Sequence, residues 1–159
     1  MGSPEHKQKI WNYIKDIKVG MLTTHGEDEL HSRPMQLVQN EYDNKLWFFT
    51  DANDPKVKEI QEDKTVNIAF SDRENGVYVS MAGNAKLTHD KELIDKFWND
   101  YVSAWYSKGK EDDSVALLEI KVNHGEHWDI NKDSRDFFYE VEKAKNTSKT
   151  PDVGEHQKF

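Results

Sequence analysis

In residues 46–60, LWFFTDANDPKVKEI, a strand passes directly into a helix. The aromatic run at residues 45–50 has the composition of a β-strand, and the polar residues that follow predict a turn. Asp54 and Pro55 then predict a helix with an aspartate at its N-cap and a proline at its first position. Lys56 would lie in the first turn, where the helix dipole disfavours a cation. We therefore expect Lys56 to have an anionic partner.

Two interpretations of Lys56 remain open at the level of sequence. The ammonium group pairs with Asp51 or Asp54, or an anion such as a phosphate lies between the helix amides, the Thr50 hydroxyl and the ammonium group. Arg33 favours the second interpretation, because its guanidinium reaches the same anion if the second and third strands are neighbours. An arginine in a strand is otherwise most often a solvated edge residue.

The remaining hydrophobic pattern predicts short strands joined mostly by hairpins, with helices at the edges and crossings. The strands are predicted at residues 18–24, 30–39, 45–50, 65–71, 77–89, 114–123 and 126–130. The helices are predicted at residues 5–17, 54–63, 91–104 and 134–145. Pro34 places the second strand at an edge, at a bulge, or where something other than a neighbouring strand lies alongside. Gly83 indicates a bulge or bend in the fifth strand. The pattern predicts a mainly β fold, a six- to seven-stranded antiparallel barrel, closed or partly open, with flanking helices.

Length and composition narrow the class of protein. The 159 residues fit one domain, which we place at residues 1–145, and residues 146–159 lack periodicity and predict a disordered tail. A net charge of -8 gives no electrostatic case for binding nucleic acid. The chain has no cysteine, no long apolar run and no signal-like start, which predicts a cytoplasmic protein without disulfides or membrane spans.

Histidine and tryptophan give weaker signals. His124 and His127 flank Glu126, but a strand or turn need not place both rings on one face, so we predict no metal site. Trp105 and Trp128 fall near loops and are better functional candidates than the tryptophans on predicted helix faces and in strands, which suit core packing.

Several segments, taken in order, resemble the pyridoxamine 5'-phosphate oxidase-like flavoproteins, and in particular their general stress protein branch. They are SRPM (32–35), LWFFTDANDPKVKEI (46–60), TVNIAF (65–70), YVSMAGNAKLTHD (78–90), FWNDYVSAWYSKGKEDD (97–113) and HWDI (127–130). The resemblance covers about residues 8–135. It implies a split β-barrel and a homodimer that binds FMN in a cleft between the subunits.

The resemblance also implies positions for the cofactor-binding residues. Arg33, Lys56 and the Thr50 hydroxyl would hold the FMN phosphate, and the strand from Pro34 to Val38 would run beside the isoalloxazine ring. Trp105 would approach the flavin, from the same or the partner subunit, and the strand of Tyr78 and Ser80 would line the other side. The full implied set is Arg33, Pro34, Met35, Gln36, Leu37, Val38, Phe49, Thr50, Lys56, Tyr78, Ser80 and Trp105.

By resemblance, the protein is an FMN-binding flavoprotein with a stress-related role and oxidoreductase activity on an unidentified substrate; FAD is the alternative cofactor. Two departures argue against vitamin B6 oxidation. Pro55 stands where the true oxidases tend to have a second cation, and residues 134–146 lack their cluster of arginine and histidine. The alternatives are a non-enzymatic module that holds flavin or haem for sensing, and a barrel with a structural role and an empty cleft.

Overall fold

The computed structural model describes residues 4–130, 142–146 and 154–159. The elements are α1 (Pro4–Ile17), β1 (Val19–His25), β2 (Leu30–Gln36), β3 (Lys45–Asp51), α2 (Pro55–Glu62), β4 (Thr65–Asp72), β5 (Val77–Thr88), α3 (Lys91–Phe97), α4 (Asp100–Trp105), β6 (Val115–Asp129) and β7 (Glu155–Lys158). A further helical turn covers residues 142–146. None of the described helices has the length and apolar character needed to cross a membrane.

The described strands form one antiparallel sheet in the order β2-β1-β4-β5-β6-β3, with β7 added to β6. The second and third strands are therefore the two ends of the sheet path and not ladder partners. They meet just beyond β2, where the Val38 amide donates a 3.2 Å hydrogen bond to the Trp47 carbonyl. The sheet thus curls into a barrel that is only partly closed, and the predicted antiparallel split barrel is confirmed.

Two apolar clusters hold the layers together. The barrel interior contains alternate residues of the strands, as expected when one sheet face is buried, and α1 packs against it. The most deeply buried members are Ile10, Ile14, Leu22, Leu46, Phe48, Ile68, Phe70, Val79, Met81, Leu118, Ile120 and Val122. The second cluster lies on the outer face of β3 and β6, where Val115 and Leu117 pack with Ile94 and Phe97 of α3. This outer cluster fixes α3, and the adjoining α4, beside β3.

The longest strand, β6, contains a β-bulge where it pairs with β5. Ala82 pairs with His124 and Gly83 with Val122, so Asn123 is the extra residue. A side chain at Gly83 would collide with the backbone of β6, which explains the glycine and confirms the irregularity predicted there. The two strands predicted near the end of the barrel are instead one strand, β6, because pairing with β5 continues across the bulge.

The helix predicted at residues 91–104 is two helices. Trp98 ends α3 with an extended backbone, and the Asn99 side chain accepts a 2.9 Å hydrogen bond from the Val102 amide as the N-cap of α4. Asparagine competes for backbone donors in this way, which interrupts a helix that the apolar pattern alone would continue.

The prediction of a disordered tail is wrong for its last residues. Residues 155–158 form β7 on the edge of β6, and the Phe159 and Gly125 backbones exchange hydrogen bonds of 2.7 and 2.8 Å. The Phe159 ring lies directly over Gly125, where a Cβ atom would come within 2.6 Å of the ring. These contacts are distant in sequence, so local composition does not reveal them. The rest of the predicted tail, residues 147–153, and the predicted helix up to residue 141 lie outside the described residues.

Candidate functional site

A cavity of about 270 Å³ lies where the two ends of the sheet path approach each other beneath α4. Its lining residues come from the end of β2, the end of β3, the start of α2, and α4 with the residue after it. They are Pro34, Met35, Gln36, Val38, Phe49, Thr50, Asp51, Lys56, Tyr101, Val102, Trp105 and Tyr106. Elements that are far apart in the chain therefore converge on one cleft.

The cleft contains most of the residues that the sequence predicts for the cofactor site. The predicted residues that line it are Pro34, Met35, Gln36, Val38, Phe49, Thr50, Lys56 and Trp105. Arg33, Leu37, Tyr78 and Ser80 do not line it. The predicted cofactor set lacks four lining residues, Asp51, Tyr101, Val102 and Tyr106. The apolar pattern of residues 91–104 predicts one continuous helix, in which Tyr101 and Val102 belong to the packed face. The break at Asn99, an asparagine inside an apolar helical pattern, was the available signal.

Among the described strands, none pairs with the β2 edge that borders the cleft. β2 pairs with β1 on one side only, and its other side borders the cleft. Pro34, which has no backbone donor, is tolerated at such an edge, so its predicted edge position is confirmed. The backbone of this edge is available to a ligand instead of a neighbouring strand.

The polar end of the cleft is built at the junction of β3 and α2. The Asp54 side chain caps α2 by accepting a 2.9 Å hydrogen bond from the Lys56 amide. The Lys56 ammonium lies 3.1 Å from the same carboxylate, so the first interpretation of Lys56, pairing with a neighbouring aspartate, describes this structure. The Thr50 side chain is buried beside them and donates only a long bond of 3.5 Å to the Asp51 carbonyl.

Arg33 does not line the cleft, although its charge acts on Asp54 at the polar end. Across the β1–β2 ladder it lies opposite Leu22, on the inner face, and its guanidinium donates to the Thr24 hydroxyl at 2.6 Å. A second guanidinium nitrogen lies 3.7 Å from the Glu59 carboxylate. The side chain therefore has partners of its own, and the predicted contact of Arg33 with a phosphate remains a prediction.

Electrostatics near the polar end favour an ionised aspartate and a protonated tyrosine. Burial pushes the pKa of Asp54 upward, but the amide and ammonium of Lys56 and the charge of Arg33 outweigh it and lower the pKa. Burial, with the negative charges of Asp51 and Asp54, raises the pKa of Tyr106 to about 12. The Tyr106 hydroxyl thus keeps its proton at neutral pH and is available as a hydrogen-bond donor.

Aromatic side chains form the apolar side of the cleft. The Phe49 ring meets Trp98 edge-on, with centroids 5.7 Å apart, and Trp98 lies 6.1 Å from the Tyr106 ring. Tyr101 and Trp105 on α4 are 6.3 Å apart, and Trp105 is 72% exposed. Flat rings with exposed faces suit a planar ligand, because such contacts bury a large apolar area in defined geometry.

Tyr78 and Ser80 lie on the outer face of β5. The Ser80 hydroxyl accepts a 3.0 Å hydrogen bond from Asn67, and Tyr78 lies opposite Trp128 in the β5–β6 ladder. The Trp128 ring stacks on His156 of β7, with centroids 4.9 Å apart. Tyr78 and Ser80, which the resemblance places on the other side of the cofactor, therefore lie on the outer face of the sheet and outside the lining of this cleft.

The histidines do not assemble a metal centre in the part of the chain that the structure describes. Those residues contain no group of three side chains from histidine, cysteine, aspartate and glutamate in a ligating arrangement. His127 is fully buried and His124 is exposed, so the two rings lie on opposite faces of β6.

Comparison with known proteins gives consistent relatives. The profile of the family described as "Pyridoxamine 5'-phosphate oxidase like" matches residues 5–152. General stress protein 26 of Bacillus subtilis (strain 168) is 31% identical over 124 residues, which are 76% of this chain and 86% of that protein. The crystal structure of the general stress FMN/FAD binding protein from the phytopathogen Xanthomonas citri has a TM-score of 0.73 at 30% identity, over 83% of this chain and 93% of that one. General Stress Protein 26 from Bacillus anthracis str. Sterne has a TM-score of 0.69 at 25% identity, over 77% and 93% of the two chains.

Proposed function

Because the chain belongs to the pyridoxamine 5'-phosphate oxidase like family, we propose that it binds FMN in the cleft between β2, β3 and α4. One observation carries the proposal: the same cleft is lined by aromatic side chains and, at one end, by the buried residues Lys56 and Thr50. A flavin needs both, since its ring is flat and largely apolar and its phosphate is anionic. The name of the related Xanthomonas citri structure, which includes FMN/FAD binding, supports a flavin as the ligand and leaves FAD as the alternative.

Each part of FMN has a counterpart in the cleft. Lys56 and Thr50 would bind the phosphate through a charge-assisted bond and a hydroxyl donor. The free edge of β2, from Pro34 to Gln36, would offer backbone groups to the polar side of the ring. Phe49 and Trp105 would cover its apolar surface, which excludes water from the bound cofactor.

A second copy of the chain would complete this site. The cleft of about 270 Å³ is at the small end of ligand pockets, which commonly span roughly 300–1,000 Å³. The outer sheet face that begins at Pro34 and Gln36 continues through the exposed side chains of Val19 and Met21. Burial of this apolar face in a homodimer would bring a partner's surface against the open side of the cleft, and Tyr78 and Ser80 lie on that same face.

The proposed reaction class is flavin-dependent oxidation and reduction of a small molecule. When bound, FMN supplies the redox chemistry, and the protein binds, orients and shields it. A second candidate is a protein that holds flavin without turnover. One observation favours it: the described residues that line the cleft include no histidine, the side chain that most often transfers protons in catalysis.

The first test is to identify any chromophore released from the denatured protein by mass and to titrate the stripped protein with FMN. We expect the mass of FMN, one FMN per chain and quenching of flavin fluorescence. A stripped protein that binds neither FMN nor FAD at micromolar concentrations would contradict the proposal. Reduction of the bound flavin by NADH or NADPH, followed by reoxidation over many cycles, would favour an enzyme over a holder.

A further inference from the structure

The cation of the cleft already has an anionic partner within the chain. The Lys56 side chain is 7% exposed, and its ammonium lies 3.1 Å from the Asp54 carboxylate. Asp51 also lines the cleft, so two carboxylates accompany one ammonium at the end where a phosphate would bind. A ligand phosphate must share Lys56 with Asp54 and also tolerate the charge of that carboxylate.

We propose that Asp54 competes with the phosphate of the ligand for Lys56, and thereby sets how strongly the cleft prefers phosphorylated over unphosphorylated flavin. This inference rests on the proposed function and adds a specificity-determining residue to it. The resulting preference for FMN over riboflavin is smaller than an unpaired lysine would give.

Asp54 cannot easily move away when a phosphate arrives. One carboxylate oxygen accepts the 2.9 Å hydrogen bond from the Lys56 amide that caps α2, and the other oxygen faces the Lys56 ammonium. Rotation of the carboxylate away from the ammonium would also disturb the cap of α2. The negative charge therefore stays beside the phosphate site, where it repels a second anion.

The two roles of Asp54 are separable by a single substitution. Asparagine is as good an N-cap as aspartate, so Asp54→Asn keeps the hydrogen bond to the Lys56 amide and removes the charge. Riboflavin has the same ring as FMN but no phosphate. The ratio of the two affinities therefore isolates the interaction between the phosphate and this part of the cleft.

The experiment is a fluorescence titration of the stripped full-length protein with FMN and with riboflavin, at fixed pH and ionic strength. For Asp54→Asn we expect FMN to bind about two- to fivefold more tightly, as for removal of a partly exposed competing charge. Riboflavin affinity should change by less than about twofold, because no charge is involved. The gain for FMN should shrink as salt is added, since screening weakens both interactions.

Asp90→Asn is the matched control. Asp90 caps α3 in the same manner, accepting from the Glu92 and Leu93 amides at 3.0 and 3.4 Å, and it does not line the cleft. We expect Asp90→Asn to leave both affinities unchanged. If both flavins bind the wild-type protein and Asp54→Asn leaves FMN affinity unchanged or weaker, with an unchanged unfolding midpoint, the inference is overturned while the proposed function stands. If the wild-type protein binds neither flavin, the proposed function itself fails.

Discussion

Replacement of Lys56 by glutamine removes the ammonium at the polar end of the cleft and leaves a side chain of similar length. The Lys56 side chain is 7% exposed, so water competes only weakly for its ammonium. A hydrogen bond to a charged group in such surroundings contributes about 1.5–3 kcal/mol. We therefore expect Lys56→Gln to weaken FMN about 10- to 150-fold.

The assay is the same flavin titration, with riboflavin as the internal reference. Lys56→Gln should leave riboflavin affinity nearly unchanged, because the loss concerns the phosphate alone. Lys58→Gln is the control, since Lys58 is exposed on the same helix and does not line the cleft. An equal loss for FMN and riboflavin would refute the reasoning, because the defect would then concern the ring site or the fold, and so would an unchanged FMN affinity.

Three further predictions concern stability. Arg33→Ala leaves the buried Thr24 hydroxyl without the guanidinium that donates to it, and should lower the free energy of unfolding, measured in urea, by about 1–3 kcal/mol. Its FMN affinity should fall less than that of Lys56→Gln. Phe159→Ala removes the partly buried ring on Gly125 and should cost about 1–3 kcal/mol by thermal unfolding, whereas the exposed Lys158→Ala should cost almost nothing. Burial lowers the pKa of His127 below its usual value of about 6.5, so near that pH the unfolded chain binds more protons than the folded one. The free energy of unfolding should therefore fall as pH drops below about 6.5. His127→Phe should reduce this pH dependence.

Each stability prediction has an outcome that contradicts it. An unchanged urea midpoint in Arg33→Ala would mean that Thr24 finds another partner. Equal melting temperatures for Phe159→Ala and the wild type would mean that the end of the chain does not hold β7 in place. An identical acid transition with and without His127 would assign the acid sensitivity to other groups, such as the carboxyls of Asp54 and Glu59, whose lowered pKa values also make stability fall as pH drops.

Local sequence patterns predict the junction between β3 and α2, which forms the polar end of the cleft. Asp54 and Pro55 predict the start of α2, and the structure has Asp54 as N-cap and proline in the first turn. The aromatic strand before it is β3, as predicted. Both features depend on residues within one or two turns of the chain, so sequence alone specifies them.

Contacts between distant residues explain what the sequence did not predict. β3 pairs with β6 and not with β2, and no local pattern reveals a partner about 70 residues away. The strand β7 is polar and short, and its stability comes from the edge of β6. Pairing with β6 therefore orders residues 155–158, although their polar composition alone indicates a disordered tail.

Sequence predicts the direction of the Arg33 side chain but not its distant partner. Alternation along β2 places Arg33 on the face of Met35, which is buried, so its inward direction follows from strand period. Its partner Glu59 lies on α2, which the period cannot place. In the structure Arg33 lies near Glu59 and Lys56 near Asp54, and the phosphate that the resemblance implies for both side chains stays a prediction.

A crystal structure of the protein grown with FMN tests the central claim most directly. We predict one FMN per cleft, with its phosphate within hydrogen-bond distance of the Lys56 ammonium and the Thr50 hydroxyl and its ring along the free edge of β2. FMN bound at another surface, or a phosphate turned away from Lys56 towards solvent, would contradict the account.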